Sequence, residues 1–327
     1  MKLVGTVAKR LAYAFGLVLA VVLLNFLLIR LAPGDAALTI AGEMGGATPE
    51  ILADIRREYG LDKSLPEQLY VYMGRMLSGD LGDSLFFNTP VLDLILDRLG
   101  PSVALVVCAL IISVIIGTFL GVLASRKPNG AFSAIVTVFS LVGYSAPVFW
   151  TGIMLLILFS ATFPWFPLSG MIDITGGNTG FDWFLDVLHH MVLPAFTLSI
   201  IFLAQYSRIS RASMLDVMGA DYIRTARAKG LAEGPVIYKH ALRNAILPVV
   251  TLAGLQFGGM LSGAVLVETV FNWPGLGQLA FESILRRDHP TVLGILFFAS
   301  FMVVVANLLT DLAYRVIDPR IRSGSGH

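Results

Sequence analysis

The sequence predicts an all-α polytopic membrane protein with six transmembrane helices and a long loop after the first. Three observations carry this. The 327-residue chain is 56% apolar and 14% charged, against roughly 25% charged in soluble domains. Its charges gather into blocks, separated by uncharged runs long enough to cross a bilayer core, which takes about 20 residues. Lys and Arg are unevenly shared among those blocks, and that asymmetry sets orientation. The net charge of +1 gives no global field that would attract nucleic acid.

Residues 11–29 give the first span and 100–125 the second. The opening MKLVGTVAKR followed by an apolar run has the look of a signal peptide. No small-residue cleavage site follows a short core, so a retained helix is expected. Residues 128–172 carry no charge, but Pro164, Pro167 and Gly170 break the far end, which favours one span over 131–162. Residues 187–207, 244–267 and 290–310 supply the remaining three. One span in the long run leaves 15 of the 23 Lys and Arg on a single side, together with both chain ends. By the positive-inside rule that side is cytosolic. The expected organisation is a tail and first span over 1–31, an extracytoplasmic loop region over 32–99, a transmembrane core over 100–317 and a cytosolic tail over 318–327.

The most informative stretch is the polar loop 213–243, inside that core. Between Arg208 and Arg243 there are seven Lys or Arg and three Asp or Glu. So polar a segment cannot sit in hydrocarbon. Asp221 reads as the N-cap of a short helix and Gly230 as its left-handed stop. Tyr222, Ile223 and Ala226 fall on one face, with Arg224, Arg227 and Lys229 mostly off it. Gly234-Pro235 restarts a helix with Pro at its first position, and Pro248 loosens the start of the next span. The expected object is a small apolar knob with basic flanks.

The run DYIRTARAKGL, then HALRNAILPVVT, resembles the loop of membrane subunits of ABC-type importers. That pattern is Glu-Ala-Ala, three residues, Gly, about nine residues, then Ile-x-Leu-Pro. Arg224, Thr225 and Ala226 occupy the first positions, Gly230 the glycine, and Ala245, Leu247 and Pro248 the end. Arg224 and Ala245 depart from the generic pattern but fit the dipeptide, oligopeptide and nickel permease branch. Pro33-Gly34-Asp35, Gly79-Asp80-Leu81-Gly82, Trp273-Pro274-Gly275-Leu276-Gly277 and Asp318-Pro319-Arg320 resemble the same branch. The resemblance implies a type I ABC importer permease fold. It also implies that Asp221 to Arg227, with Lys229, Gly230 and Leu231, dock on a cytosolic ATPase. The partners so implied are a second homologous permease subunit, two ATPase subunits carrying ATP and Mg, an extracytoplasmic solute-binding protein and the bilayer of a bacterial inner membrane.

The chain itself has no Gly-Lys dipeptide, so a phosphate-binding GxxxxGK motif is impossible. Its five His lack metal-site spacing, and adjacent His189 and His190 suit an interfacial role. Cys108 stands alone, which excludes an internal disulfide. No enzyme activity, cofactor or metal is expected of this chain. A solute path is expected along Gln256, Gly259, Ser262, Gly263 and Glu268 in span 5, with Gln205 and Tyr144 from spans 4 and 3. Gly259-x-x-x-Gly263 would let another helix approach closely. Glu268 would meet a peptide amine or headgroup water, and Trp273 would sit at the membrane interface. Asp311 and Arg315 form an i,i+4 pair in span 6. The expected function is import of peptides or similar small solutes by alternating access driven by partner ATPases. The alternative, an ion-coupled secondary transporter or channel, needs carboxylates deep in the bilayer, and Glu268 and Asp311 lie near span ends.

Overall fold

The computed structural model describes residues 2–31, 48–58, 62–84, 86–174, 177 and 179–317. Pro33-Gly34-Asp35 and Asp318-Pro319-Arg320 lie outside these, as do the side chains of Ser262, Gly263, Asp311 and Arg315. In chain order the helices are α1 (Lys2–Leu31), α2 (Pro49–Glu58), α3 (Leu65–Leu77), α4 (Val91–Arg126), α5 (Ala131–Ser145), α6 (Val148–Leu156), α7 (Phe181–Met218), α8 (Asp221–Ala228), α9 (Glu233–Pro235), α10 (Leu242–Ala245), α11 (Leu247–Phe271), α12 (Leu276–Leu285) and α13 (His289–Ile317). π-Helical stretches cover Ile157–Thr162 and Val236–Ala241. Among the described residues the only β pairing is an isolated bridge between Asp83 and Pro90.

Three of these helices are long and apolar enough to cross a bilayer: Val91–Arg126, Phe181–Met218 and His289–Ala306. The described apolar stretches of α1 and α11, Phe15–Leu27 and Leu247–Gln256, are shorter than a full crossing. The one span expected over 131–162 is broken into two helices bent by 105°. The cause is local. Pro147 cannot donate into a helical ladder, and it forces Ala146 into an extended conformation (φ −76°, ψ 133°).

The described residues form two compact units. One combines residues before 100 with 279–308. Here Asp288 caps α13: its carboxylate accepts Ser84 Oγ at 2.5 Å and Thr291 Oγ1 at 2.7 Å. This ties the 79–90 turn to a helix 204 residues later in sequence. Asn25 Nδ2 of α1 donates to Leu293 O of α13 at 3.2 Å. Asp80 accepts Arg75 Nε at 2.7 Å and the Gly82 amide at 3.1 Å, and the Arg75 bond holds its carboxyl below the ordinary range.

The other unit combines 100–278 with the chain from 309 onward, and α7 organises its first part. Glycines bring α4 against it. A Cβ on Gly121 would lie 2.5 Å from Ser207 O and 2.7 Å from Ser210 Cβ, and one on Gly117 would lie 2.8 Å from Leu203 O. Backbones approach this closely only where side chains are absent. Ser210 Oγ of α7 donates to Thr118 O of α4 across the same seam at 3.2 Å. The core then fills with Leu105, Val106, Met191, Leu198, Met260, Phe271 and Trp273.

Candidate functional site

The loop 213–243 folds as a knob on the C-terminal ends of α4 and α7. Ile223 and Ala226 of α8, with Val236, Ile237, Ala241 and Ala245, pack against Val122 of α4 and Met214 of α7. Ile223, Val236, Ala241 and Ala245 have no exposed surface. Burying one such branched side chain stabilises by about 1.5–3 kcal/mol. That is what allows a helix of 8 residues to persist, since isolated helices shorter than about 12 residues are marginal.

Local signals set the ends of α8. Its N-cap is Ala220, not Asp221. Asp221 opens the helix instead, where a carboxylate still suits the dipole, and it lies 3.7 Å from Arg224. Thr225 Oγ1 donates to Asp221 O at 2.9 Å. Gly230 ends the helix with φ +78°, a conformation that disfavours side chains. The next helix starts at Glu233, so Pro235 stands third rather than first. The chain then widens into the π-helical stretch, and Ile246 separates α10 from α11. Pro248 is the second residue of α11, where its missing N–H costs nothing.

The surface of the knob is polar and aromatic. Tyr222 is 44% exposed, so it leaves the face it was expected to share with Ile223 and accepts a bond from Asn244 Nδ2 at 2.8 Å. Arg227 grips Glu233 with Nε to Oε1 at 2.8 Å and Nη2 to Oε2 at 3.4 Å. Arg224, Lys229, Leu231 and Tyr238 are exposed. Beside the knob, Arg211 donates to Ser133 Oγ at 3.0 Å and Pro128 O at 3.1 Å, fixing the 126–130 turn.

The path residues do not all converge. Gln205 and Gln256 do: Gln256 Nε2 of α11 donates to Gln205 Oε1 of α7 at 2.7 Å. Tyr144 is 61% exposed on α5. Gly259 is exposed, and a Cβ there would have only Gln256 Oε1 within 4 Å, at 3.8 Å. Among the described residues no other helix comes close to Gly259; Gly117 and Gly121 provide such an approach instead. Their Gly-x-x-x-Gly spacing was visible in the sequence.

Glu268 sits apart from that pair. It is 1% exposed, and it accepts Ser102 Oγ at 2.5 Å, the Gly277 amide at 2.7 Å and the Gln278 amide at 3.2 Å. A Cβ on Gly275 would run into this carboxylate. Its role is to hold the turn 272–278, not to face headgroup water. Trp273, expected at the membrane interface, is fully buried, because its indole N–H reaches Pro101 O at 3.0 Å and loses nothing inside. Nothing in the sequence pointed to Ser102, which lies 166 residues from Glu268. His189 Nε2 lies 2.9 Å from Trp165 O and His190 Nδ1 lies 3.1 Å from Asp186 Oδ1, so both tie the start of α7 to its surroundings.

With this geometry in place, comparison with known proteins becomes specific. Residues 117–323 match the model of the binding-protein-dependent transport system inner membrane component, and residues 3–106 match that of its N-terminal region. The chain belongs to that family. A probable peptide ABC transporter permease of Sinorhizobium fredii is 42% identical over 316 residues, covering 97% of this chain and 98% of the relative. The dipeptide transport system permease protein DppB of Escherichia coli is 41% identical over 333 residues, with the same coverage. A di/tripeptide permease of Pseudomonas aeruginosa is 39% identical over 330 residues. Two solved structures share the fold. One is an inward-facing methionine ABC transporter, with TM-score 0.52 and 16% identity over 69% of this chain and 96% of that one. The other is an amino acid ABC transporter, with TM-score 0.50 and 18% identity over 68% and 94%. This binding-protein-dependent component is therefore an inner-membrane permease subunit with the type I ABC importer fold, a transport protein and not an enzyme, and it works within a membrane-embedded complex of ABC components.

Proposed function

We propose that this permease carries peptides, delivered by an extracytoplasmic binding protein, across the inner membrane by alternating access. The observation that carries the reading is the knob. A loop with a fully apolar interior presents Tyr222, Arg224, Lys229, Leu231 and Tyr238 on its surface, and it rests directly on α4 and α7. Force applied to that surface reaches two long spans through packed side chains rather than through a flexible tether. The names of full-length relatives support a peptide cargo.

In this reading the chain crosses the membrane six times with both ends cytosolic. Residues 1–31 form the first tail and span, 32–99 the extracytoplasmic region, 100–317 the core and 318–327 the last tail. The knob faces two cytosolic ATPase subunits, which carry ATP and Mg, and a second homologous permease subunit completes the pore. Asp221 to Arg227, Lys229, Gly230 and Leu231 form the docking surface, while Ala245, Leu247 and Pro248 join it to α11. Gln205, Gln256 and Gly259 line the path, with Tyr144, Ser262 and Gly263 along its wall. Glu268 is spent on the turn 272–278 and is not available for ion coupling, which weighs against an ATP-independent carrier.

Gly230→Val tests the knob. Valine is strained at φ +78°. The variant should insert and assemble yet lose ATP-dependent peptide uptake by at least tenfold. Unchanged uptake would remove the docking role.

A further inference from the structure

We propose that the Gln205–Gln256 pair reads the peptide group of the cargo; this rests on the peptide-import reading above. The bond from Gln256 Nε2 to Gln205 Oε1 uses one donor and one acceptor. It leaves the two Gln205 amide N–H groups, the second Gln256 N–H and the Gln256 carbonyl oxygen to be satisfied by something else. Both side chains are half-buried. Gly259, the next turn of α11, keeps space open beside Gln256 Oε1. Gln256 is the tenth residue of α11, so it stands about 13 Å from that helix's start and near mid-membrane for a core of about 30 Å. Hydrocarbon is a costly neighbour for such groups. A peptide group, with one C=O and one N–H, can take a Gln205 N–H and give its own N–H to the Gln256 carbonyl oxygen.

The surroundings decide what the pair does not read. Residues 187–207 and 247–267 contain no Asp, Glu, Lys or Arg. Glu268, the first carboxylate after Gln256, is held by Ser102 and by the Gly277 and Gln278 amides. Arg208, three residues after Gln205 on α7, is the cation nearest the pair in sequence and stands one helical turn away. The pair itself is neutral, so what it recognises is the backbone amide.

The test is uptake by proteoliposomes containing the complete transporter and its binding protein. Labelled alanyl-alanine is compared with its ester analogue alanyl-lactate, which lacks the peptide N–H, both at saturating concentration. Any preference of the binding protein is common to wild type and variant, so the informative quantity is the change in the dipeptide-to-ester ratio. Gln256→Met keeps side-chain length and removes the acceptor. It should slow dipeptide uptake and shrink the ratio about tenfold, the value of one hydrogen bond. Gln256→Glu keeps an acceptor oxygen and should preserve the ratio. Gln256→Leu gives the same reading should the Met variant not assemble. Equal slowing of both substrates, with the ratio unchanged, would overturn the proposal and leave the pair as a helix-to-helix tie. Wild-type protein that carries neither substrate would instead sink the peptide-import reading itself.

Discussion

At the Phe271 end of α11, a turn is held by one buried carboxylate. At the Leu247 end, a knob is held by aliphatic side chains. Glu268 gathers Ser102 Oγ and two backbone amides, and Gly275 leaves no room for a side chain next to it. The knob has Ile223, Val236 and Ile237 at its centre and its ion pairs outside. The first arrangement is directional and fails abruptly, because each donor has one place to go. The second is non-directional and can shift as a body while its interior stays packed. A turn that must keep one geometry suits the former, and a surface that must be pushed suits the latter.

Glu268→Leu should break the comparison most severely. It leaves Ser102 Oγ and the Gly277 and Gln278 amides without their acceptor, at about 1–3 kcal/mol for each buried group left unsatisfied. Thermal unfolding of the purified complex should show the loss, and an unchanged melting point would mean the carboxylate is dispensable. Next is Ile223→Ala, which opens a cavity in the knob at about 2–5 kcal/mol. Proteolysis should then cut within 213–243 while the spans stay intact; global unfolding would show that the knob and the helices are one cooperative unit. Arg227→Ala removes an exposed pair to Glu233 worth about 0.2–1 kcal/mol. It should leave the melting point nearly unmoved, whatever it does to uptake.

The smallest effect sharpens the contrast between buried and exposed carboxylates. Asp80 also holds a turn, through Arg75 and the Gly82 amide, but it is about half exposed. Its pKa is lowered from 3.8, chiefly by the bond from Arg75. A depressed acid stabilises above its unfolded pKa, and that contribution fades as pH falls through the lowered value. Hydrogen exchange of the 78–82 amides should therefore be flat from pH 7 to about 4 after correction for intrinsic rates, and should show lost protection only below that. Loss of protection near neutral pH would contradict the assignment.

Much of the knob was legible beforehand. Gly230 needed only its type and place after a polar helix, and the alternation of Ile223 and Ala226 with Arg224 and Arg227 named the buried face. The positions of the long apolar helices α4, α7 and α13 followed from uncharged runs. Pro147 is visible in the sequence, but the 105° between the helices on either side of it is not. Glu268 and Trp273 were misplaced because burial depends on the partner. A carboxylate near a span end looks exposed until Ser102 arrives, and an indole looks interfacial until Pro101 O accepts its proton.

The sequence by itself determined that this chain lives in a membrane, where its polar loop folds back into a small domain, and which family it belongs to. These follow from composition, local propensity and spacing, all of which act over a few turns of chain. Only the tertiary structure decided that Gln205 meets Gln256, that Glu268 closes a turn and that Gly117 and Gly121 seat α4 on α7. Those contacts join residues far apart in the chain, and their energy exists only once helices have packed and excluded water and lipid between them.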